Sequence, residues 1–235
     1  MSGFSADWLA LRAPADDAAR SAELARAFAR HLPRRAKIVD LGAGTGAMGR
    51  WLAPFLPKDA RLVSLDGDAR LLAHAPRPRL RRSLGGTLPR ADAFVSSALV
   101  DLVSAAWLRR LLRRARCKPL LMCLAVDGRH EATPSHPLDG RIFAAFATHQ
   151  RRWKGLGRAL GPDAPKHLPS ALVRRSDWVL PRGPLARATL DGILAAAREI
   201  DPSLPAEWPT DRALSVGHAD LLVLPRRCRP TGRRV

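Results

Sequence analysis

The sequence predicts an α/β fold on a doubly wound, mostly parallel sheet, and three observations carry that prediction. Short apolar, β-branched runs alternate with helical segments of about ten to fifteen residues along the 235-residue chain. One such run, Lys37-Ile38-Val39-Asp40-Leu41, passes straight into a glycine-rich turn that opens a helix. No internal repeat and no linker long enough to divide the chain interrupts the pattern. One α/β domain is therefore expected over 1–225, followed by a basic tail over 226–235 that is expected to be disordered.

The elements follow in order. Ala, Leu and Phe recur at helical spacing against Arg, Glu and Asp over 15–31, near the acidic pair Asp16-Asp17, and Pro33 closes that helix. The run 37–41 reads as a buried strand, and 47–56 as the helix after its glycine turn, stopped by Pro57. A second strand over 61–65 ends at Asp66-Gly67-Asp68, with a helix from 69 to 74. The segment 75–90 is rich in Pro and Arg and holds a weak strand at 79–83. A strand over 93–97, a helix over 99–114 and the most apolar strand, 119–126, come next. Helices are expected over 142–155, 165–174 and 184–200, a short extended piece over 177–180, and a final strand over 219–224.

Composition excludes several classes. With 46% hydrophobic residues the chain has the apolar content of an ordinary globular domain, not of a disordered one. No apolar run approaches the roughly 18 residues that cross a bilayer. Residues 1–11 lack a basic stretch followed by an apolar one, so a secretory signal is not expected and a cytoplasmic location is. Cys117, Cys123 and Cys228 are too few and too scattered for a disulfide framework. They are not spaced with histidines as zinc ligands, and His130, Glu131 and His136 do not make a two-ligand helix face, so no metal is expected.

The charge points two ways. Forty basic against 21 acidic residues give +19, which suits an anionic partner such as nucleic acid. Yet only five of those cations are lysines, Ala and Pro are abundant and Tyr is absent, a skew that GC-rich coding produces whatever the partner. The six Trp and six Phe are dispersed, not interleaved with arginine as on a base-stacking platform. Arg109, Arg110, Arg113, Arg114 and Arg116 are expected to form the solvated outer face of one amphipathic helix.

Chemistry concentrates at Ile38-Val39-Asp40-Leu41-Gly42-Ala43-Gly44-Thr45-Gly46. In a doubly wound sheet this turn lies at the carboxyl edge, where ligands bind. Glycines there permit positive φ and let a ligand approach without a Cβ in the way. Two ligand classes suit such a turn. A dinucleotide fingerprint can be laid on Gly44, Gly46 and Gly49, a weak signal by itself. Asp40 favours the other class: a carboxylate two residues before the first glycine repels a pyrophosphate but suits a ligand with an ammonium and a sulfonium. Asp66, ending the next strand, can accept both hydrogens of a ribose diol and is compatible with either.

On three pieces the chain resembles the class I S-adenosylmethionine-dependent methyltransferases. They are Val39-Asp40-Leu41-Gly42-Ala43-Gly44-Thr45-Gly46, then Val63-Ser64-Leu65-Asp66, then Ala93-Phe94-Val95-Ser96-Ser97, in the family's order. The segments 97–102 and 149–162 are similar to a bacterial subgroup of such enzymes. The resemblance implies a Rossmann-like methyltransferase fold with a seven-stranded sheet, helical inserts near the C-terminal strands and an antiparallel last strand. It also implies S-adenosyl-L-methionine as cofactor. Gly42, Ala43, Gly44 and Gly46 would lie along its methionine part and Asp40 near its ammonium. Asp66 would hold the ribose hydroxyls, Gly67 would lie beside adenine, and Ser96 and Ser97 would border the methyl group. Two positions depart from the family: Gly67 stands where a bulkier residue often stacks on adenine, and Arg81-Arg82-Ser83-Leu84 where an acid often meets the adenine amino group. A looser or backbone-mediated hold on adenine is implied.

Methyl transfer from a sulfonium is an in-line displacement, so alignment supplies much of the acceleration, and a base is needed only for an acceptor that arrives protonated. Asp101 after the fourth strand, His130 after the fifth and His149 on the next helix are the candidates for acid–base or substrate work. Each has an ordinary alternative, as a helix N-terminal acid or as a surface histidine. Cys123, inside an apolar strand, reads as core, and no Asn-Pro-Pro-aromatic pattern follows the fourth strand. The acceptor expected is a small molecule, in a pocket built after the fourth and fifth strands and from 127–174, with 184–208 as a lid or an oligomer contact. An RNA methyltransferase, an NAD(P)-dependent oxidoreductase and a non-catalytic scaffold are the alternatives, and the oligomeric state is left open.

Overall fold

The computed structural model describes residues 5–168 and 170–225; the tail expected over 226–235 lies outside them. One sheet contains β1 (Lys37–Leu41), β2 (Arg61–Asp66), β3 (Arg79–Arg81), β4 (Ala93–Ser97), β5 (Leu120–Thr133), β6 (Leu172–Leu180) and β7 (Ala213–Val223). Its spatial order is β3-β2-β1-β4-β5-β7-β6. The first five strands are parallel, and β7 runs antiparallel between β5 and β6. This is the mostly parallel, seven-stranded Rossmann-like sheet expected above. Strand order reverses between β1 and β4, so the connections leaving those strands diverge and open a crevice at the carboxyl edge.

The helices are α1 (Ala6–Ala19), α2 (Ala22–Ala29), α3 (Ala47–Leu52), α4 (Ala69–Leu72), α5 (Ala105–Arg114), α6 (Asp139–Gln150) and α7 (Pro184–Arg198). The central strands are apolar on both sides because helices cover both. Ile38, Val95, Leu121 and Leu222 pack in one cluster with Phe28 of α2, Leu52 of α3, Ile142 of α6 and Leu190 of α7. Val39, Leu41, Phe94 and Leu120 pack on the other side with Leu108 and Leu111 of α5.

The N-terminal helix differs from expectation. The single helix read over 15–31 is two, and the first starts upstream and runs through Pro14. Ser5 caps α1 by accepting from Trp8 N at 3.0 Å. At Arg20 the backbone becomes extended, and Ser21 caps α2 by accepting from Leu24 N at 3.2 Å. The Ser21 amide meanwhile donates to Asp220 of β7 at 2.7 Å. A long-range bond that local periodicity does not reveal thus anchors the break. Likewise the helix read over 99–114 starts later, because Ser104 caps α5 while Val100–Leu102 form a separate 3-10 turn.

The C-terminal third departs furthest. β5 runs on to Thr133 and β7 begins at Ala213, so the two form a longer antiparallel ribbon than the apolar runs alone suggested. Its first irregularity, between Met122 and Ala125, is held by Asp220, whose other oxygen accepts from Leu124 N at 2.7 Å. The helix expected over 165–174 is instead the 3-10 segment Gly161–His167 followed by β6, which absorbs the extended piece at 177–180. As an edge strand β6 exposes Leu172 and Val173 beside Arg174 and Arg175, so it lacks the alternation of a half-buried strand. The segment 184–208, expected as a lid or oligomer contact, belongs to the core: α7 buries Ala186, Leu190, Ile193, Leu194 and Ala197. Among the described residues no helix is long and apolar enough to cross a membrane.

Candidate functional site

β1 ends at Leu41, and the chain then turns through Gly42, Gly44 and Gly46, whose φ values are +68°, +54° and +82°. At Gly46 an added Cβ would stand 2.4 Å from Pro76 Cδ, so neither the conformation nor the space admits a side chain. The turn is pinned by Ala43 N to Leu65 O at 3.0 Å and Gly46 N to Ala43 O at 2.7 Å. Gly44 N donates to Asp66 Oδ2 and Asp68 N to Asp66 Oδ1, both at 2.8 Å. The Asp66 carboxylate is therefore fixed between the glycine turn and the start of α4.

A cleft opens over this turn. Asp40 and residues 42–45 line it together with Asp66, Asp68 and Leu71 from the β2 side and Ser97, Ala98 and Leu99 from the end of β4. One face of α1 and the residue that follows it add Leu9, Arg12, Asp16 and Arg20, spaced by three and four residues. Leu84 and Leu102 join Leu71 to give an apolar portion. Leu84 is placed by α5: Trp107 Nε1 and Arg110 Nη2 donate to its carbonyl at 2.7 and 2.8 Å. Arg110 is thus no part of a merely solvated face, whereas Arg109, Arg113 and Arg114 are exposed as expected.

Charge is buried here without being used up. Asp40 is 1% exposed, and among the described residues neither of its oxygens has a hydrogen-bond partner. Burial pushes its pKa up to about 7, the nearby Arg20 guanidinium pulling it down and the Asp66 charge adding to the rise. The Arg20 side chain is 1% exposed. Its Nη1 pairs with Asp17, its Nη2 donates to Ser97 Oγ at 3.1 Å, and its Nε has no partner among the described residues. Arg12, in contrast, is committed: it makes three bonds of 3.0–3.2 Å to Asp16 and lies 4.5 Å over the Trp178 ring. Burial raises the Asp16 pKa despite both arginines.

The structure brings Asp40, Gly42, Ala43, Gly44, Asp66 and Ser97 together on this cleft. Gly46 shapes the turn without lining it, Gly67 is exposed beside it, and Ser96 is buried within β4. Asp101 lies next to the lining residue Leu102, 7% exposed, its Oδ1 without a partner among the described residues and its pKa pushed up to about 6 by burial.

His130 and His149 do not line the cleft. Because β5 continues past the expected end, His130 sits inside it opposite Val216, its ring 5.3 Å from Phe143 and its pKa lowered by burial. His149 ends α6 with Nε2 3.5 Å from Glu199 Oε2, and partial burial lowers its pKa. Ser97 to Leu99 line the cleft after the fourth strand as expected, but among the described residues none of 127–174 does; the facing wall is α1, which starts upstream of the helix expected over 15–31. Its signal was present as Leu9, Arg12, Asp16 and Arg20 on one helical face, but polar residues at that spacing also describe a solvated surface. Among the described residues no group of three His, Cys, Asp or Glu side chains can hold a metal ion.

No family model and no curated protein matches the chain. Solved structures do. A candidate type II methyltransferase from Anaeromyxobacter dehalogenans is 20% identical over 86% of this chain and 96% of its own, with a TM-score of 0.49. The plantazolicin methyltransferase BpumL, solved with SAH, is 12% identical over 94% of this chain and 88% of its own, also at 0.49. The cyclopropane synthase MmaA2 from Mycobacterium tuberculosis is 16% identical over 86% and 82%, at 0.45. Likeness at this level concerns the course of the chain alone, and what the cleft holds follows from its own residues.

Proposed function

We propose that this protein is an S-adenosylmethionine-dependent methyltransferase acting on a small-molecule acceptor. The observation that carries the reading is Asp40, a carboxylate buried beneath a strand–glycine turn–helix with no hydrogen-bond partner among the described residues. Such a group suits a cationic ligand, and the ammonium of an amino-acid arm fits it where a pyrophosphate does not. The glycine turn leaves room that a side chain at Gly42 or Gly44 would fill, each Cβ standing 3.3 Å from a leucine of the cleft lining. Asp66 accepts one backbone bond on each oxygen and keeps further lone pairs for two ribose hydroxyls. Leu71, Leu84 and Leu102 offer apolar contact to a base, in keeping with the missing acidic residue after β3.

When bound, the cofactor supplies an electrophilic methyl group on a sulfonium. The chain's part is alignment and exclusion of water. Ser97 to Leu99 and the Leu9–Arg12–Asp16 face of α1 enclose the space in which an acceptor would meet it. A cleft closed over by a helix favours a small molecule over a folded RNA, and the surface arginines then reflect composition.

The test is a thermal-melt titration with S-adenosylmethionine, S-adenosylhomocysteine, NAD and NADP, with Asp66→Ala alongside. At a hundredfold the dissociation constant a ligand adds about 2.7 kcal/mol, roughly 5–10 °C for a chain of this size. Only the adenosyl ligands are expected to shift the wild type, and neither should shift Asp66→Ala. A shift with NAD alone would transfer the cleft to an oxidoreductase.

A further inference from the structure

We propose that the groove between α5, the loop over 85–88 and the hairpin of Trp153–Lys154 and Gly157–Arg158 binds a single-stranded nucleic acid, its arginines taking the phosphates and Trp153 stacking on a base. The assignment does not rest on the methyltransferase reading: none of Arg113, Arg114 and Trp153 lines the cleft, and the strand is bound outside it.

The first observation is the placement of charge. Composition accounts for the number of arginines, but not for where the acids stand among them. Between Asp68 and Asp127 the chain has eleven arginines and Lys118 against two acids, Asp92 and Asp101. Asp101 is buried, and Asp92 accepts from Lys37 N at 2.8 Å. Arg129, Arg141, Arg151 and Arg174 pair with carboxylates, whereas among the described residues Arg82, Arg110, Arg113, Arg114 and Arg158 do not. Uncompensated cations on one face attract a polyanion.

The second observation is shape. Gly85, Arg110, Arg113, Gly155 and Leu156 line one end of the groove, and Arg110, Arg114 and residues 85–88 the other. Arg110 builds its floor, donating from Nη1 to Gly85 O at 2.9 Å and from Nη2 to Leu84 O at 2.8 Å. The hairpin is seated on the cap of α5: at Gly157, whose φ is +103°, an added Cβ would stand 2.9 Å from Ser104 Cβ. Arg113 and Arg114 are exposed beside this floor, free to meet phosphates. A concave, glycine-lined groove admits an extended strand, while a flat bilayer surface does not reach into it.

The third observation is Trp153, which is 79% exposed while the other five tryptophans are buried or half-buried. It lies in the run Arg151-Arg152-Trp153-Lys154 and pairs with Arg158 across the hairpin, two residues from Gly155 of the groove. The general dispersal of aromatic residues along the sequence conceals this one interleaving with cations. An indole in water between cations is suited to stack on a base while they hold the flanking phosphates, and only an unpaired base offers its face.

Fluorescence anisotropy of the whole protein with a labelled strand of about a dozen uridylates tests this, beside the matching duplex, poly-glutamate and phosphatidylserine vesicles. The wild type is expected to prefer the single strand to all three, its log K falling by about 0.7 per phosphate held for each unit of log salt. Trp153→Ala should weaken binding roughly 5- to 100-fold at an unchanged salt slope, and Trp153→Phe should restore part of it. Arg113→Gln with Arg114→Gln should flatten the slope by about 1.4. Arg35→Gln with Arg198→Gln, which removes as much charge from exposed positions outside the groove, should leave it nearly unchanged. All five replaced side chains are exposed, so melting points close to the wild type are expected throughout. Wild-type protein that binds no single strand, or binds the duplex, poly-glutamate or vesicles as tightly, overturns the assignment. So does Trp153→Ala binding like the wild type, or the outside pair flattening the slope as much as the groove pair, the mark of diffuse charge.

Discussion

Two buried groupings of aspartate and arginine, one in the cleft and one in the C-terminal layer, differ in how far their bonds are made. Asp139, at the start of α6, accepts from Arg212 Nη1 and Nη2 at 2.9 and 3.0 Å, from Trp208 Nε1 at 3.0 Å and from His136 N at 2.8 Å. Arg212 turns its Nε to Pro209 O at 2.7 Å and shares Nη1 with Pro134 O at 2.9 Å. Among the described residues Asp40 accepts no hydrogen bond, and Arg20 leaves Nε without a partner. Burial raises both carboxyls, but only at Asp139 do the bonds from Arg212 and its neighbours overcome it and lower the pKa. Depth in the fold does not distinguish a structural charge from one awaiting a ligand; completion of the hydrogen bonds does.

The largest effect expected from this contrast is on stability. Arg212→Met strips Asp139 of its charge partner inside a packed layer, a loss of about 3 kcal/mol or more. For a chain of this size that is roughly 6–12 °C in Tm. Cofactor affinity measured well below the transition should not change, because neither residue lines the cleft. A melting point within 1–2 °C of the wild type would show that bond completion at Asp139 does not mark a structural pair.

Asp40→Asn should move stability the other way. A folded-state pKa of about 7, above the 3.8 of a free carboxyl, means that ionising Asp40 costs the ligand-free fold stability as pH rises across that interval. Above pH 7 the cost approaches about 4 kcal/mol. An asparagine removes the charge but leaves a buried amide without partners, so a net gain of about 1–3 kcal/mol is expected at pH 8. At pH 4 and below the gain should vanish. The same variant should lose its thermal shift with S-adenosylhomocysteine. Melting curves at pH 4 and 8, with and without ligand, check both halves, and a destabilised Asp40→Asn at pH 8 would show that the charge serves the fold.

How much of this was legible depended on the range of the forces involved. The glycine turn, Asp40 and Asp66 could be read because their chemistry is set by neighbours in the chain: a strand, a turn and a helix within ten residues. The parallel core strands were legible for the same reason, being short and apolar throughout. The break at Arg20 and Ser21 was not, since its bond goes to Asp220, about two hundred residues away. Nor was the length of β5, whose second half is polar and is drawn into the sheet by pairing with β7. That one extension took His130 off the expected pocket-edge loop. Arg12, Asp16 and Arg20 are not legible as cleft residues because a helix bearing charge on its inner face has the same periodicity as one bearing it outside.

The smallest effect expected is at His149, and it tests the boundary of the cleft. Its partner Glu199 is more than half exposed and already bonds to Arg152 at 2.5 Å. Partial burial and the nearby Lys154 lower the His149 pKa, so near pH 7 the ring is neutral and its contact with Glu199 is not an ion pair. His149→Ala should therefore change stability by less than about 0.5 kcal/mol and leave ligand affinity and methyl transfer unchanged. It is a polar contact between helix ends that water can replace, unlike Asp139, and it faces no cleft, unlike Asp40. Were the variant to keep its melting point and its affinity for S-adenosylhomocysteine but lose methyl transfer tenfold, the acceptor would have to reach across α6. The enclosure by α1, on which the preference for a small acceptor rests, would then be the wrong wall.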